Sequence, residues 1–162
     1  MSEQSGSQAE DLVGMEINIT RTFDAPRELV FQTWTEPRHI AQWFGPRYFT
    51  NPVCEVDARP GGKLLIHMQG PDGQAHPTHG VFHEVVEPER LVLTTTAFDD
   101  GAGNPLLEVR HTVTFEEAGE KTTMTLHSVV VRATPEMAGP LSGMKQGWSE
   151  SLDKLAEYLA AM

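Results

Sequence analysis

The sequence predicts an α+β fold in which a curved antiparallel sheet is closed by one long C-terminal helix. Three observations carry this prediction. The middle of the chain is a series of strand-like runs separated by turn chemistry, with no apolar pattern of helical length before the C-terminus. The last segment places Leu141, Met144, Trp148, Leu152, Leu155 and Leu159 at spacings of three and four, so one helical face is continuously apolar. A chain of 162 residues with 39% hydrophobic and 22% charged residues has the size and composition of one domain that buries a core without disulfides or metals.

In chain order, residues 1–13 are polar and aperiodic and are expected to form a disordered tail, leaving residues 14–162 as a single domain. Met15 to Phe23 alternates apolar and polar residues, the mark of a half-buried strand. Asp24-Ala25-Pro26 turns into a helix that carries Leu29, Val30, Phe31 and Trp34 and stops before Glu36-Pro37. A second short helix spans about His39 to Phe44, and Gly45-Pro46 ends it. The turn signals Arg59-Pro60-Gly61-Gly62 and Gly70-Pro71-Asp72-Gly73 bracket a strand from Lys63 to Gln69. Strands follow at Gly80–Val86, Arg90–Ala97, Glu108–Glu116 and Lys121–Val130, separated by turns at Pro88, Asp99–Pro105 and Glu117–Glu120. Pro135 and Pro140 place the start of the last helix near Leu141.

Several of these segments carry a resemblance: Ile19 to Pro26, Pro60-Gly61-Gly62, Gly70-Pro71-Asp72-Gly73, Gly80 to Val86 with Pro88-Glu89-Arg90-Leu91, and Gly147 to Leu155. Together they resemble the activator-of-Hsp90-ATPase homologue family, within the START-like (SRPBCC), birch-pollen-allergen-like helix-grip superfamily, over Met15 to the end. The resemblance implies six or seven strands wrapped around the C-terminal helix, two short helices after the first strand, and a cavity between sheet and helix. It implies less about chemistry, because fold does not fix function.

Alternation assigns faces. Val109, His111, Val113 and Phe115 share the core face of their strand, and pairing across the Glu117–Glu120 turn brings Met124 and Leu126 beside them. His111 is then a polar group on an apolar surface and needs a partner, from the protein, a water or a ligand. Across the Pro88 turn, Phe82, Glu84 and Val86 fall with Leu91, Leu93 and Thr95, and if that face is internal Glu84 is a second buried polar candidate. Met68, Phe82, Met124, Met144 and Trp148 supply adaptable apolar wall, so the candidate ligand-binding set is these five with Glu84 and His111. His67 and the run His76-Pro77-Thr78-His79 read as solvated.

The net charge of −11 and singly scattered Lys and Arg argue against nucleic acid, and no apolar run approaches the length that inserts in a membrane. The N-terminus lacks a secretory pattern and Cys54 has no disulfide partner, so a cytoplasmic location is expected. Cys54, between valines, reads as a small hydrophobe rather than a nucleophile. No metal-ligand spacing, phosphate loop, dinucleotide motif or nucleophile elbow occurs, so no cofactor or metal is expected. Three functions stay open: a carrier, sensor or sequestering protein for a small, largely apolar ligand; a cyclase- or hydrolase-type enzyme using Glu84 and His111; and a chaperone-linked interaction module. Whether the chain acts alone or as a homodimer is equally open.

Overall fold

The computed structural model describes residues 12–162. The expected tail lies outside this range except for Leu12 and Val13, and Leu12 already packs against buried residues of the fold. Seven strands, β1 (Glu16–Phe23), β2 (Thr50–Val56), β3 (Lys63–Gln69), β4 (Ala75–Val86), β5 (Arg90–Asp99), β6 (Pro105–Ala118) and β7 (Lys121–Ala133), form one antiparallel sheet in the order β1-β7-β6-β5-β4-β3-β2. Helices α1 (Arg27–Thr35) and α2 (Pro37–Trp43) follow β1, and α3 (Ala138–Ser142) and α4 (Met144–Ala160) follow β7.

The local signals explain most of these boundaries. Ile17, Ile19 and Phe23 of β1 turn inward as alternation requires, while Asn18, Thr20 and Thr22 face out. Arg21 shares the inner side and ends on Asp153 of α4, 2.7 Å away, tying the helix to the sheet edge. Helix α1 starts after Pro26 and buries Val30, Phe31 and Trp34; Pro37 ends it and opens α2 at its first position.

Four features depart from the expected elements. Strand β2 has no run of its own in the sequence reading: Pro52 and Glu55 blur its alternation, and it survives as an edge strand with a register shift between Thr50 and Val53, the place where a residue without an N–H is tolerated. Strand β4 begins at Ala75, so His76 to His79 belong to the sheet and pair with β3, with His76 opposite Met68. A register shift between Phe82 and Glu84 bends β4. There the Gly61 N–H donates to the Phe82 carbonyl and the Phe82 N–H donates to the Gly62 carbonyl, so the turn before β3 docks on the strand. A Cβ on Gly62 would lie 1.8 Å from the Asp57 carbonyl oxygen, which reserves that position for glycine.

The fourth departure is in the C-terminal segment. Leu141 does not open the long helix: it sits in the separate turn of α3, and the chain breaks at Gly143 before α4 begins at Met144. Gly139, Pro140 and Gly143 crowd this stretch, and each lowers helix propensity, the proline by removing a backbone donor.

Buried residues form two clusters. The larger joins Phe31, Val113, Phe115, Met124, Leu126, Leu152, Leu155 and their neighbours between sheet, α1 and α4; the smaller joins Leu107, Val109, Val130, Met137 and Leu141. Met144 touches both from the first turn of α4. No helix among the described residues is long and apolar enough to cross a membrane.

Candidate functional site

A cavity of about 410 Å³ opens between the inner faces of β3 to β6, the helices α1 and α2, and the start of α4, where the two clusters meet. Strand alternation builds its floor. Leu64 and Ile66 of β3, Thr78 and Phe82 of β4, Leu91, Leu93, Thr95 and Ala97 of β5, and Leu107, Val109 and His111 of β6 all face it, each an even number of residues from the next on its strand. Helix α1 adds Trp34, α2 adds Trp43, and Met144, Trp148 and Ser151 of α4 form the roof. Among the described residues, no Lys, Arg, Asp or Glu side chain lines it.

His111 is the central polar group. It is buried, its Nδ1 lies 2.7 Å from the Ser128 hydroxyl and its Nε2 lies 2.9 Å from the Thr95 hydroxyl. Ser128 stands directly opposite it on β7, and Thr95 diagonally across on β5. Burial pushes its pKa down to about 4, so the imidazole is neutral at pH 7 and one ring nitrogen donates while the other accepts. The Trp148 ring meets it edge-on with centroids 5.5 Å apart, stacks on Trp34 at 5.9 Å and meets Phe44 at 5.9 Å. The indole N–H of Trp34 is buried with no acceptor among the described residues.

The mouth is framed by Phe98, which lines the cavity while 44% exposed, and by the loop from Gly45 to Phe49. Phe98 holds a φ of 57°, a conformation that costs a bulky residue energy and turns its ring to the rim. Helix α4 holds the loop. Lys154 Nζ donates to the carbonyls of Gly45 and Pro46 at 3.1 and 3.4 Å, the Arg47 backbone N–H donates to Glu150 at 3.1 Å, and the Arg47 side chain pairs with Glu157. Burial pulls the Lys154 ammonium below its ordinary pKa.

Of the residues named from the sequence, Met68, Phe82, His111, Met144 and Trp148 line this one space. Glu84 does not. The bend after Phe82 shifts the inward direction to Val85, which packs against the core, while Glu84 stays outside the wall, half-exposed and 3.5 Å from Arg90. Met124 does not reach it either, because it lies fully buried opposite Phe115 where sheet and helix pack solidly. His76 is a correction in the other direction: it lines the cavity near its mouth, 6.2 Å from the Phe49 ring, and is not a turn residue. Cys54 is half-buried against the core, and burial raises its thiol pKa, as expected of a hydrophobe rather than a nucleophile. Among the described residues no cluster of three His, Cys, Asp or Glu could hold a metal ion.

Thr95 and Ser128 escaped the sequence reading as site residues. Both continue an inward series already in view, Leu91-Leu93-Thr95 and Met124-Leu126-Ser128, and the alternation extended by one step would have paired them with His111. The tryptophans and phenylalanines of α1, α2 and the loop after them gave no comparable signal, since an apolar helix stripe reads as core.

Comparison with known proteins gives a consistent result. Residues 24–160 match the family model described as Activator of Hsp90 ATPase homolog 1-like protein. Among solved structures, a protein from Chromobacterium violaceum is 28% identical with a TM-score of 0.76 over 89% of this chain and 96% of its own. One from Arthrobacter aurescens is 25% identical with a TM-score of 0.81 over 92% of this chain and 88% of its own. The AHSA1 protein from Silicibacter pomeroyi, at 24% identity and a TM-score of 0.77 over 91% of this chain and 99% of its own, shows the shared fold alone. No curated protein of described function matches the chain.

Proposed function

The chain belongs to the Activator of Hsp90 ATPase homolog 1-like family, in the helix-grip (SRPBCC) superfamily, and from that premise we propose that it binds a small, largely apolar molecule in the cavity between sheet and α4. Proteins of this fold bind ligands or interact with other proteins; the cavity favours the first. One observation carries the reading: a space of about 410 Å³, within the range that encloses drug-sized ligands, walled by apolar side chains with a few convergent polar groups.

Carrier, sensor and sequestering roles share this chemistry. An acid–base enzyme fits the geometry less well, because Glu84 lies outside the wall and both His111 nitrogens are occupied by hydroxyls. We propose a cytoplasmic location as well, on the support that a lone Cys54 suits a reducing milieu.

Native mass spectrometry of protein purified from its own source tests the proposal directly, since a retained molecule would be weighed with the chain. An environment-sensitive apolar dye is the complementary probe: binding with a change in tryptophan emission supports the reading. If the folded chain shows neither a retained molecule nor saturable dye binding, the proposal falls.

A further inference from the structure

We infer that the cavity selects an uncharged ligand bearing a hydroxyl or carbonyl group, and that Thr95 reads that group in either hydrogen-bonding sense. The inference rests on the cavity being a ligand site and adds which ligand chemistry it accepts.

The absence of charge in the wall is the first argument. A carboxylate or ammonium taken into this space would lose its hydration and meet no Lys, Arg, Asp or Glu side chain among the described residues in return. The two histidines of the wall do not alter this: His111 is spoken for by two hydroxyls, and His76 stands out at the mouth.

The second argument is the arrangement around His111. Ser151 of the wall already donates to the Gly147 carbonyl at 3.0 Å and the Trp34 N–H is fully buried; Thr78 also lines the wall but makes no side-chain hydrogen bond to the described residues, so Thr95 is the wall hydroxyl whose hydrogen-bonding sense is coupled to His111. A neutral imidazole between two hydroxyls has two arrangements with the same number of protons. With the proton on Nδ1, the ring donates to Ser128 and the Thr95 O–H donates to Nε2, so the Thr95 oxygen keeps lone pairs free to accept from a ligand hydroxyl. With the proton on Nε2, the ring donates to Thr95, the Ser128 O–H donates to Nδ1, and the Thr95 proton is free to donate to a ligand carbonyl. Ser128 is fully buried and outside the wall, so the choice between the two is expressed in the cavity only through Thr95.

The test is a calorimetric titration of the full chain at neutral pH with four probes of one skeleton: methylnaphthalene, naphthol, acetonaphthone and naphthoate. Methylnaphthalene reports the cavity. Naphthol and acetonaphthone are expected to bind roughly five- to tenfold more tightly than it does, and naphthoate at least about 100-fold more weakly than naphthol. In Thr95→Val, the affinity ratios of naphthol and of acetonaphthone to methylnaphthalene both collapse to about one, and Thr95→Ser restores them. A threonine that merely supported His111 would leave those ratios in place. Ratios that survive in Thr95→Val, or naphthoate binding as tightly as naphthol, would overturn the inference while leaving the cavity reading intact. Failure of methylnaphthalene itself to bind the folded chain would overturn both.

Discussion

The two ends of α4 face the same sheet and do opposite things. At the C-terminal end, Leu152, Leu155 and Leu159 press into Phe115, Met124 and Leu126 and leave no accessible space around Leu155. At the N-terminal end, Met144 and Trp148 repeat the same apolar spacing, yet they stay half-buried and roof a cavity. The difference lies in what stands opposite. The far end joins the buried cluster that holds bulky residues of β6 and β7, whereas the near end lines the cavity together with Thr95, Ala97 and His111. An amphipathic stripe therefore records direction and leaves open whether the space ahead of it is filled.

The largest effect expected from this contrast is at the packed end. Leu155→Ala should cost about 2 to 5 kcal/mol, because it removes a fully buried side chain whose neighbours can collapse only in part. Urea melts measure it, and a loss under about 0.5 kcal/mol would erase the distinction between the two ends.

Next comes the pH dependence of the cavity floor. The folded pKa of His111 lies near 4, below the ordinary 6.5, so the unfolded chain takes up the proton first. Stability is then fully present above about pH 6.5, falls as pH drops, and levels off below about pH 4 after a loss of about 3 kcal/mol. The slope through that window should flatten in His111→Gln, whatever the variant's own stability. An unchanged slope would mean that another group sets it.

A smaller stability effect and a larger optical one are expected at Trp148. Trp148→Phe should change stability by less than about 1.5 kcal/mol, since the side chain is half-buried and the replacement keeps an aromatic ring. It should also abolish the emission change on binding of an apolar dye. A response carried unaltered by Trp34 and Trp43 would move the occupied space away from α4.

Met144→Ala is expected to be the mildest, below about 1 kcal/mol, because the side chain is only half-buried and borders the cavity on one side. A loss as large as that of Leu155→Ala would show that the near end is packed as tightly as the far one.

Much of this was legible beforehand. Inward positions on β6 and β7 followed from alternation alone, and His111 stood out there as a polar residue needing a partner. The errors came from longer range. Regular alternation points Glu84 inward only if β4 runs straight, and the strand bends beside the point where the Pro60–Gly62 turn hydrogen-bonds to Phe82, a contact between segments some twenty residues apart. The break before Met144 had local warnings in Gly139, Pro140 and Gly143, but the uninterrupted spacing from Leu141 onward outweighed them in the reading.

The sequence by itself determined most of the elements, the inward faces of β1, β6 and β7 and the place of His111 as a polar group on the core face, because backbone periodicity and turn chemistry act over a few residues. Tertiary structure alone decided which part of the inner face is core and which is cavity. Met124 and Met144 are equivalent by any local rule, yet one is enclosed by Phe115 and the strands around it and the other overhangs open space. Such a void is the mismatch between a curved sheet and the helix laid across it. No local pattern encodes it, because it depends on side chains brought together from strands and helices far apart in the chain.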